Sequence, residues 1–291
     1  MRQGTGLSPF AAAYPSRFFD VGIAEEHAVT FAAGRAAGGA VPVVAIYSSF
    51  LQRSYDQVVH DVGLQRLPVV FCIDRAGLNP SDGATHYGVF DVPFLSTVAY
   101  MELFEPASTA SMRRILRRCV EQQPQHPMAI RYADGCENDT VCAHFFGKSD
   151  AGCVEVFDGG IADFDAQSPP PVVIISYGRV CARAIEAAAR RDGQVGILLL
   201  ERLLPLDHCV SFLQQLLRHG VTHLIFLEEG IKTGGVGQQL VERLMPTATR
   251  MDVLAISPSF VCENGSLGDD ILNAAGLSVE RLLQLIAQKA V

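Results

Sequence analysis

At 291 residues, 49% of them hydrophobic and with a mean hydropathy of +0.22, the chain is long enough to bury the cores of two α/β domains. No apolar run reaches the roughly 18 residues that span a bilayer, and no basic start leads into a long apolar core, so a cytoplasmic protein without a membrane partner is expected. The formal net charge of −8, from 23 basic and 31 acidic residues with no basic stripe, argues against nucleic acid as a partner.

In chain order, Phe18-Phe19-Asp20-Val21 reads as a short apolar strand running into a turn at Gly22. Glu25 and Glu26 then open a helix so rich in alanine and apolar residues that most of it is expected to be buried. A carboxylate buried at a helix start is costly without a partner, which marks Glu25 as a proton-handling residue in a largely dry pocket. Residues 42–46 read as a strand, and 50–64 as a helix with Leu51, Tyr55, Val58, Val59 and Val62 on one face. A buried strand over 67–73 ends in Asp74-Arg75-Ala76-Gly77, and a polar loop follows to Gly88. Strands over 101–104 and 128–132 flank an amphipathic helix at about 108–121. This alternation implies a parallel sheet covered by helices, with functional loops at the carboxyl ends of its strands.

Residues 133–171 hold Asp-Gly and Gly-Gly turns and a run of three prolines, and read as a linker that can add a short strand over 153–157. A second α/β alternation follows. It has strands at 172–176, 195–200, 224–227 and 253–256, and helices at 180–190, 236–244 and 279–288. A further helix, capped by Asp207, turns Val210, Leu213, Leu216 and Leu217 inward. The eight cysteines sit mostly inside these patterns, as reduced buried thiols do. Cys136, Cys142, His144 and Cys153 form the one group with metal-binding side chains. Their spacing lacks the paired knuckle of a structural zinc site, so loop cysteines are the expected reading and no metal ligand is assigned.

Thr233-Gly234-Gly235-Val236-Gly237-Gln238-Gln239-Leu240 lies between a strand and a helix, where a dinucleotide fingerprint would lie. It lacks the third glycine and comes late in its domain, so a tight turn is the expected reading. Tyr47, Phe50 and Arg53 fall at i, i+3 and i+6, and share a face only if Tyr47 is already helical. A ring there packs into the core or stacks on a heteroaromatic cofactor. Ser81-Asp82-Gly83-Ala84-Thr85-His86-Tyr87-Gly88 is either a surface turn or a loop that carries a site around His86.

Three of these stretches together resemble the 1-deoxy-D-xylulose-5-phosphate synthase family, a thiamine-diphosphate-dependent branch of the transketolase group. They are residues 20–28, residues 45–57, and Asp74-Arg75-Ala76-Gly77 through Asp82-Gly83-Ala84-Thr85-His86. The resemblance implies an α/β fold of two parallel-sheet domains. A pyrimidine-binding domain over 1–135 lacks its first strand, a linker covers 136–171, and a transketolase C-terminal domain covers 172–291. It also implies roles. Glu25 would bond the aminopyrimidine and exchange a proton there, and Phe50 would stack on that ring. Tyr47, Arg75, Asp82, His86 and Arg131 would lie near the substrates, pyruvate and glyceraldehyde 3-phosphate. The arginines would grip the phosphate, and His86 would donate to the developing alkoxide.

The chain departs from the family in three places. Glu26 stands where glutamine is usual, and Ala133-Asp134-Gly135 replaces a proline-arginine-glycine. The Gly-Asp-Gly motif, which with a downstream asparagine binds Mg²⁺ and the diphosphate, is absent from the sequence. The expectation is a synthase chain holding only the pyrimidine side of its site, a homodimer, and little activity alone. The alternative is a non-catalytic or β-type subunit of a separate diphosphate-binding chain.

Overall fold

The structure, a computed structural model, describes residues 2–122, 125–135, 137–147, 153–191, 193–245, 250–263 and 271–288. The first sheet holds β1 (Val43–Tyr47), β2 (Val70–Asp74), β3 (Glu102–Phe104), β4 (Met128–Arg131) and β9 (Arg202–Leu204), in the order β1-β2-β4-β3-β9. The second holds β5 (Val154–Phe157), β6 (Gly160–Ala162), β7 (Val172–Tyr177), β8 (Val195–Leu200), β10 (His223–Ile231) and β11 (Met251–Ile256), in the order β11-β10-β7-β8-β6-β5. β1 to β4 pair in parallel, as do β11, β10, β7 and β8. The α/β class with two mostly parallel sheets is therefore as expected. The apolar runs of β8 and of β2 up to Ile73 match their burial on both faces, which is what helix-covered parallel strands require.

Strand β9 lies in the second half of the chain yet pairs antiparallel with β3. It ties the two sheets together, and one hydrophobic core runs from Val29 and Leu103 through Leu203 to Phe212 and Leu240. The carboxyl ends of β2, β4 and β3 thereby meet those of β7 and β10. Among the described residues no helix is long and apolar enough to cross a membrane.

Several expectations change. Residues 18–21 form no strand, and Phe19 and Ile23 stand 53% and 87% exposed. β1, the outer strand, pairs only with β2 among the described residues, so this stretch does not take up the open edge beside it. The helix Glu25–Ala37 buries Glu25, Val29, Ala32, Ala33 and Ala36, which is one face rather than most of it. Residues 48–63 form one helical run, but it passes from α through a 3-10 turn at Gln52–Ser54 to a π segment at Val58–Gly63. That change of pitch keeps Leu51, Val58 and Val62 fully buried and leaves Tyr55 39% exposed. Asp207 is the first residue of the helix Asp207–Arg218 and does not cap it; it accepts from Arg243 Nη1 at 3.3 Å instead. Ser108 does cap the helix Thr109–Glu121, in a box with Ser111. The stretch read as a linker carries the helix Asp139–Phe145, capped by Asn138, and the β5–β6 hairpin, which extends the second sheet through β8.

Candidate active site

Glu25 opens its helix without a side-chain cap, only 6% exposed. The partner that burial demands is Arg53, whose Nη1 donates to Glu25 Oε1 at 2.7 Å. The Arg53 side chain is half exposed and lies with its Cζ 4.8 Å from the centroid of the Phe50 ring. One guanidinium thus links the carboxylate to the aromatic. Glu26, one helical step of about 100° further round, is exposed, so the extra carboxylate of this chain does not enter the cluster.

Phe50 stacks against Tyr47 at 5.6 Å and 21°, and meets the edge of His86 at 5.3 Å. Tyr47 terminates β1 in extended backbone, so helical spacing is not what aligns it with Phe50. On its other side lies Arg75, with Cζ 3.8 Å from the Tyr47 ring. Burial pushes the Tyr47 phenol up in pKa, against the downward pull of Arg75. Arg75 Nε donates to Asp82 Oδ2 at 3.1 Å, and Nη1 reaches Asp74 Oδ2 at 3.5 Å and the Gly4 carbonyl at 3.3 Å. With φ at 58° Arg75 holds a left-handed backbone rare for a side chain of its size, a cost that surrounding contacts must offset. Asp82 also accepts from Asn79 at 2.9 Å, and His86 Nδ1 lies 2.9 Å from Thr85 Oγ1.

Glu25, Phe50, Tyr47, Arg75, Asp82 and His86 therefore form one connected cluster. The loop bearing Asp82 and His86 is pinned at its base by paired backbone hydrogen bonds between Gly77 and Gly88, both 2.8 Å. A Cβ at Gly88 would meet the Arg75 carbonyl at 2.2 Å and the Ser48 Cβ at 2.7 Å, so this glycine is what lets the loop sit on the helix start.

Arg131 stands apart. It is 1% exposed at the end of β4, donates through Nε to Asp91 at 3.0 Å and through Nη2 to the Gly88 carbonyl at 3.3 Å, and pairs through Nη1 with Glu105. It joins a buried polar seam between the sheets, in which Arg179 binds Glu229 and the Leu78 carbonyl while Glu229 accepts from the Leu78 N–H. Sequence reasoning missed this seam and gave Arg53 no role. The i, i+3 spacing from Phe50 was the available signal for Arg53; Glu105, Glu228 and Glu229 carry no local one.

The glycine loop belongs to the same seam. Glu228, fully buried, accepts from Val236 N–H and Gly237 N–H at 3.1 Å each and from the Tyr177 hydroxyl at 3.0 Å. The amides that a dinucleotide pyrophosphate would need are thus taken by an internal carboxylate, and the tight-turn reading holds. A Cβ at Gly235 would meet Glu228 Oε1 and the Ile231 carbonyl, both at 2.6 Å. Gly235→Ala is expected to destabilise the protein by about 1–3 kcal/mol, read by urea unfolding.

Of the possible zinc group, Cys136 lies outside the described residues. Cys142 Sγ donates to the Ala107 carbonyl, Cys153 Sγ to the His144 carbonyl, and His144 pairs with Asp163. Among the described residues, no group of three or more histidine, cysteine or acidic side chains is placed to hold a metal ion.

Residues 1–135 match the family described as the transketolase pyrimidine binding domain. Along most of its length the chain is similar to 1-deoxy-D-xylulose-5-phosphate synthases. It is 38% identical to that of Methylibium petroleiphilum over 95% of the chain and 43% of the relative. It is 38% identical to that of Cupriavidus metallidurans over 99% and 45%, and 40% identical to that of Verminephrobacter eiseniae over 95% and 43%. The chain thus spans less than half the length of these curated relatives. Among solved structures it shares its fold with a split-gene transketolase in an inactive β4 tetramer, with TM-score 0.75, 22% identity, and coverage of 98% of this chain and 88% of that one. It also matches the transketolase of Campylobacter jejuni, with TM-score 0.61, 14% identity, and coverage of 86% and 36%.

Proposed function

We propose that this chain supplies the pyrimidine side of the site of a 1-deoxy-D-xylulose-5-phosphate synthase, which condenses pyruvate, with loss of CO₂, onto glyceraldehyde 3-phosphate in isoprenoid and thiamine precursor synthesis. The carrying observation is the buried Glu25 carboxylate linked through Arg53 to the Phe50 ring. The residues present fit the ring end of thiamine diphosphate. The partner shown for Glu25 is a half-exposed guanidinium, and the Ser48 and Ser49 hydroxyls beside Phe50 are buried without a hydrogen-bond partner. The diphosphate and Mg²⁺ call for ligands that the sequence does not offer in a Gly-Asp-Gly motif, and are assigned to protein beyond these residues.

When bound, thiamine diphosphate supplies an electron sink for the bond next to a carbonyl. The chain's own residues do the rest. Glu25 Oε1 exchanges a proton with the pyrimidine ring, for which a site closed to bulk water keeps the exchange directional. Phe50 fixes the ring plane. His86, whose Nδ1 lies 2.9 Å from Thr85 Oγ1, would donate to the substrate oxygen that gains charge. Arg75 takes the triose phosphate by exchanging Asp82 for it, with Tyr47 as the flat wall behind. Arg131 supports the loop through the Gly88 carbonyl rather than touching the phosphate. The negative charge of Asp134, where the family has arginine, acts on Arg75 and lowers the phosphate affinity of this site.

Calorimetry tests the division of labour. The chain alone is expected to bind thiamine diphosphate with Mg²⁺ no tighter than roughly millimolar, and a protein carrying Gly-Asp-Gly added in equimolar amount restores tight binding. Micromolar binding by the chain alone refutes it. The likeness to a split-gene transketolase favours a second reading, a β-type subunit with a separate partner. Co-purification with a Gly-Asp-Gly chain decides for that reading over a homodimer of one longer polypeptide.

A further inference from the structure

Arg53 has no part in the chemistry above, yet its two contacts coincide with the two that the cofactor ring would make. Its Nη1 donates to Glu25 Oε1 at 2.7 Å, and its Cζ lies 4.8 Å from the Phe50 ring centroid. An aminopyrimidine offers the same pair of features, N–H and ring nitrogen toward a carboxylate and a flat conjugated face toward an aromatic. A guanidinium is planar, carries its donors in a fork and stacks on rings, so it imitates that shape as an ammonium cannot.

We propose that Arg53 is a placeholder for the pyrimidine. In the unloaded chain its guanidinium fills the ring subsite and holds Glu25 and Phe50 where the cofactor needs them, and it swings out when the ring enters. This rests on the pyrimidine reading of the site. The physical need is plain: a carboxylate 6% exposed at a helix start has to be partnered while no ligand is there. The exit is equally plain, since the Arg53 side chain is 50% exposed. Half-exposed ion pairs and cation–π contacts are individually weak, so the placeholder competes with the ring by only about three- to thirtyfold. Glu26, on the solvent side of the same helix turn, is a second carboxylate for the departing guanidinium.

The probe is thiamine without phosphates, so that the result does not depend on the diphosphate side. Binding to the full 291-residue chain is read by calorimetry, and the guanidinium of Arg53 by ¹⁵N/¹³C NMR. Arg53→Met is expected to bind thiamine three- to thirtyfold tighter than the wild type. Arg53→Lys, which keeps the charge and loses the flat stack, is expected between the two. Thiamine added to the wild type should move the Arg53 resonance toward that of free arginine, and Glu25→Gln should do the same with no ligand. If Glu25→Gln leaves the resonance in place, the contact does not hold and the placeholder is wrong, whatever the site binds. If Arg53→Met and Arg53→Lys both bind more weakly than wild type, Arg53 is a ligand for the ring and the proposal is overturned. If the Arg53–Glu25 contact is present but no form binds thiamine, the pyrimidine reading itself fails and takes the placeholder with it.

Discussion

Under the proposed function, glutamine at position 25 is expected to cut turnover of the assembled site by roughly 10²–10⁴-fold while leaving the thermal midpoint of the chain within a few degrees of wild type. The amide has nearly the shape of the acid, so the packing at the helix start is kept even as the charged contact that held Arg53 is lost. What it cannot do is exchange a proton with the pyrimidine. Aspartate, one methylene shorter, keeps the acid but withdraws it from the ring, and an intermediate loss is expected. The decisive comparison sets turnover against thiamine diphosphate affinity in Glu25→Gln, with the diphosphate-binding protein present. A loss of turnover much larger than any loss of affinity marks proton exchange. Turnover within threefold of wild type would sink the assignment of Glu25, and with it the reading of the site.

How much of this was open to the sequence follows from what each kind of residue needs. β8, and β2 as far as Ile73, read as unbroken apolar runs, because parallel strands under helices have no solvent face, and both were legible. Residues 18–21 carry three apolar side chains, yet they form no strand beside β1, which pairs with β2 alone among the described residues, and Phe19 stays 53% exposed. Phe50, at a helix start, and His86, in its glycine-flanked loop, were singled out in the sequence and given their roles by the resemblance to a family. Arg53 was given none, since its position depends on a 3-10 turn that brings it back over Phe50. The seam of Arg131, Glu105, Arg179, Glu229 and Glu228 was out of reach altogether. Arg131 and Glu105 pair within the first half of the chain, and Arg179, Glu229 and Glu228 find their partners largely within the second; the two groups meet through the Leu78 backbone and where Arg131 lies over the Tyr177 ring. No local period encodes that meeting.

The same seam carries the largest expected effect on stability. Replacing Arg131 by methionine removes the counter-ion shared by Asp91 and Glu105, both buried, and strands two carboxylates next to each other. Breaking a buried pair from one side costs about 3–5 kcal/mol, whereas Glu105→Gln added to Arg131→Met should recover part of it by removing one of the stranded charges. The loss must also depend on pH. Burial already pushes Glu105 up to about 7, against the downward pull of Arg131, and losing the arginine pushes it further. A carboxyl whose pKa is higher folded than unfolded binds its proton more tightly in the native state, so its stabilisation is complete at low pH and lost as pH rises through the folded value. The cost of Arg131→Met is therefore expected to be smaller at pH 5.5 than at pH 8. Glu228 follows the same sign: burial lifts it to about 7 despite the Gly237 N–H, the Tyr177 hydroxyl and the Val236 N–H, which all favour the anion. Wild-type stability should accordingly fall by about 1–3 kcal/mol from pH 5.5 to pH 8, and Glu228→Gln should flatten that slope. Urea unfolding of the four proteins at both pH values separates the terms. A penalty for Arg131→Met below about 1 kcal/mol at pH 8, or equal at the two pH values, would mean that water reaches these carboxylates and that the two sheets are not sealed against each other along this seam.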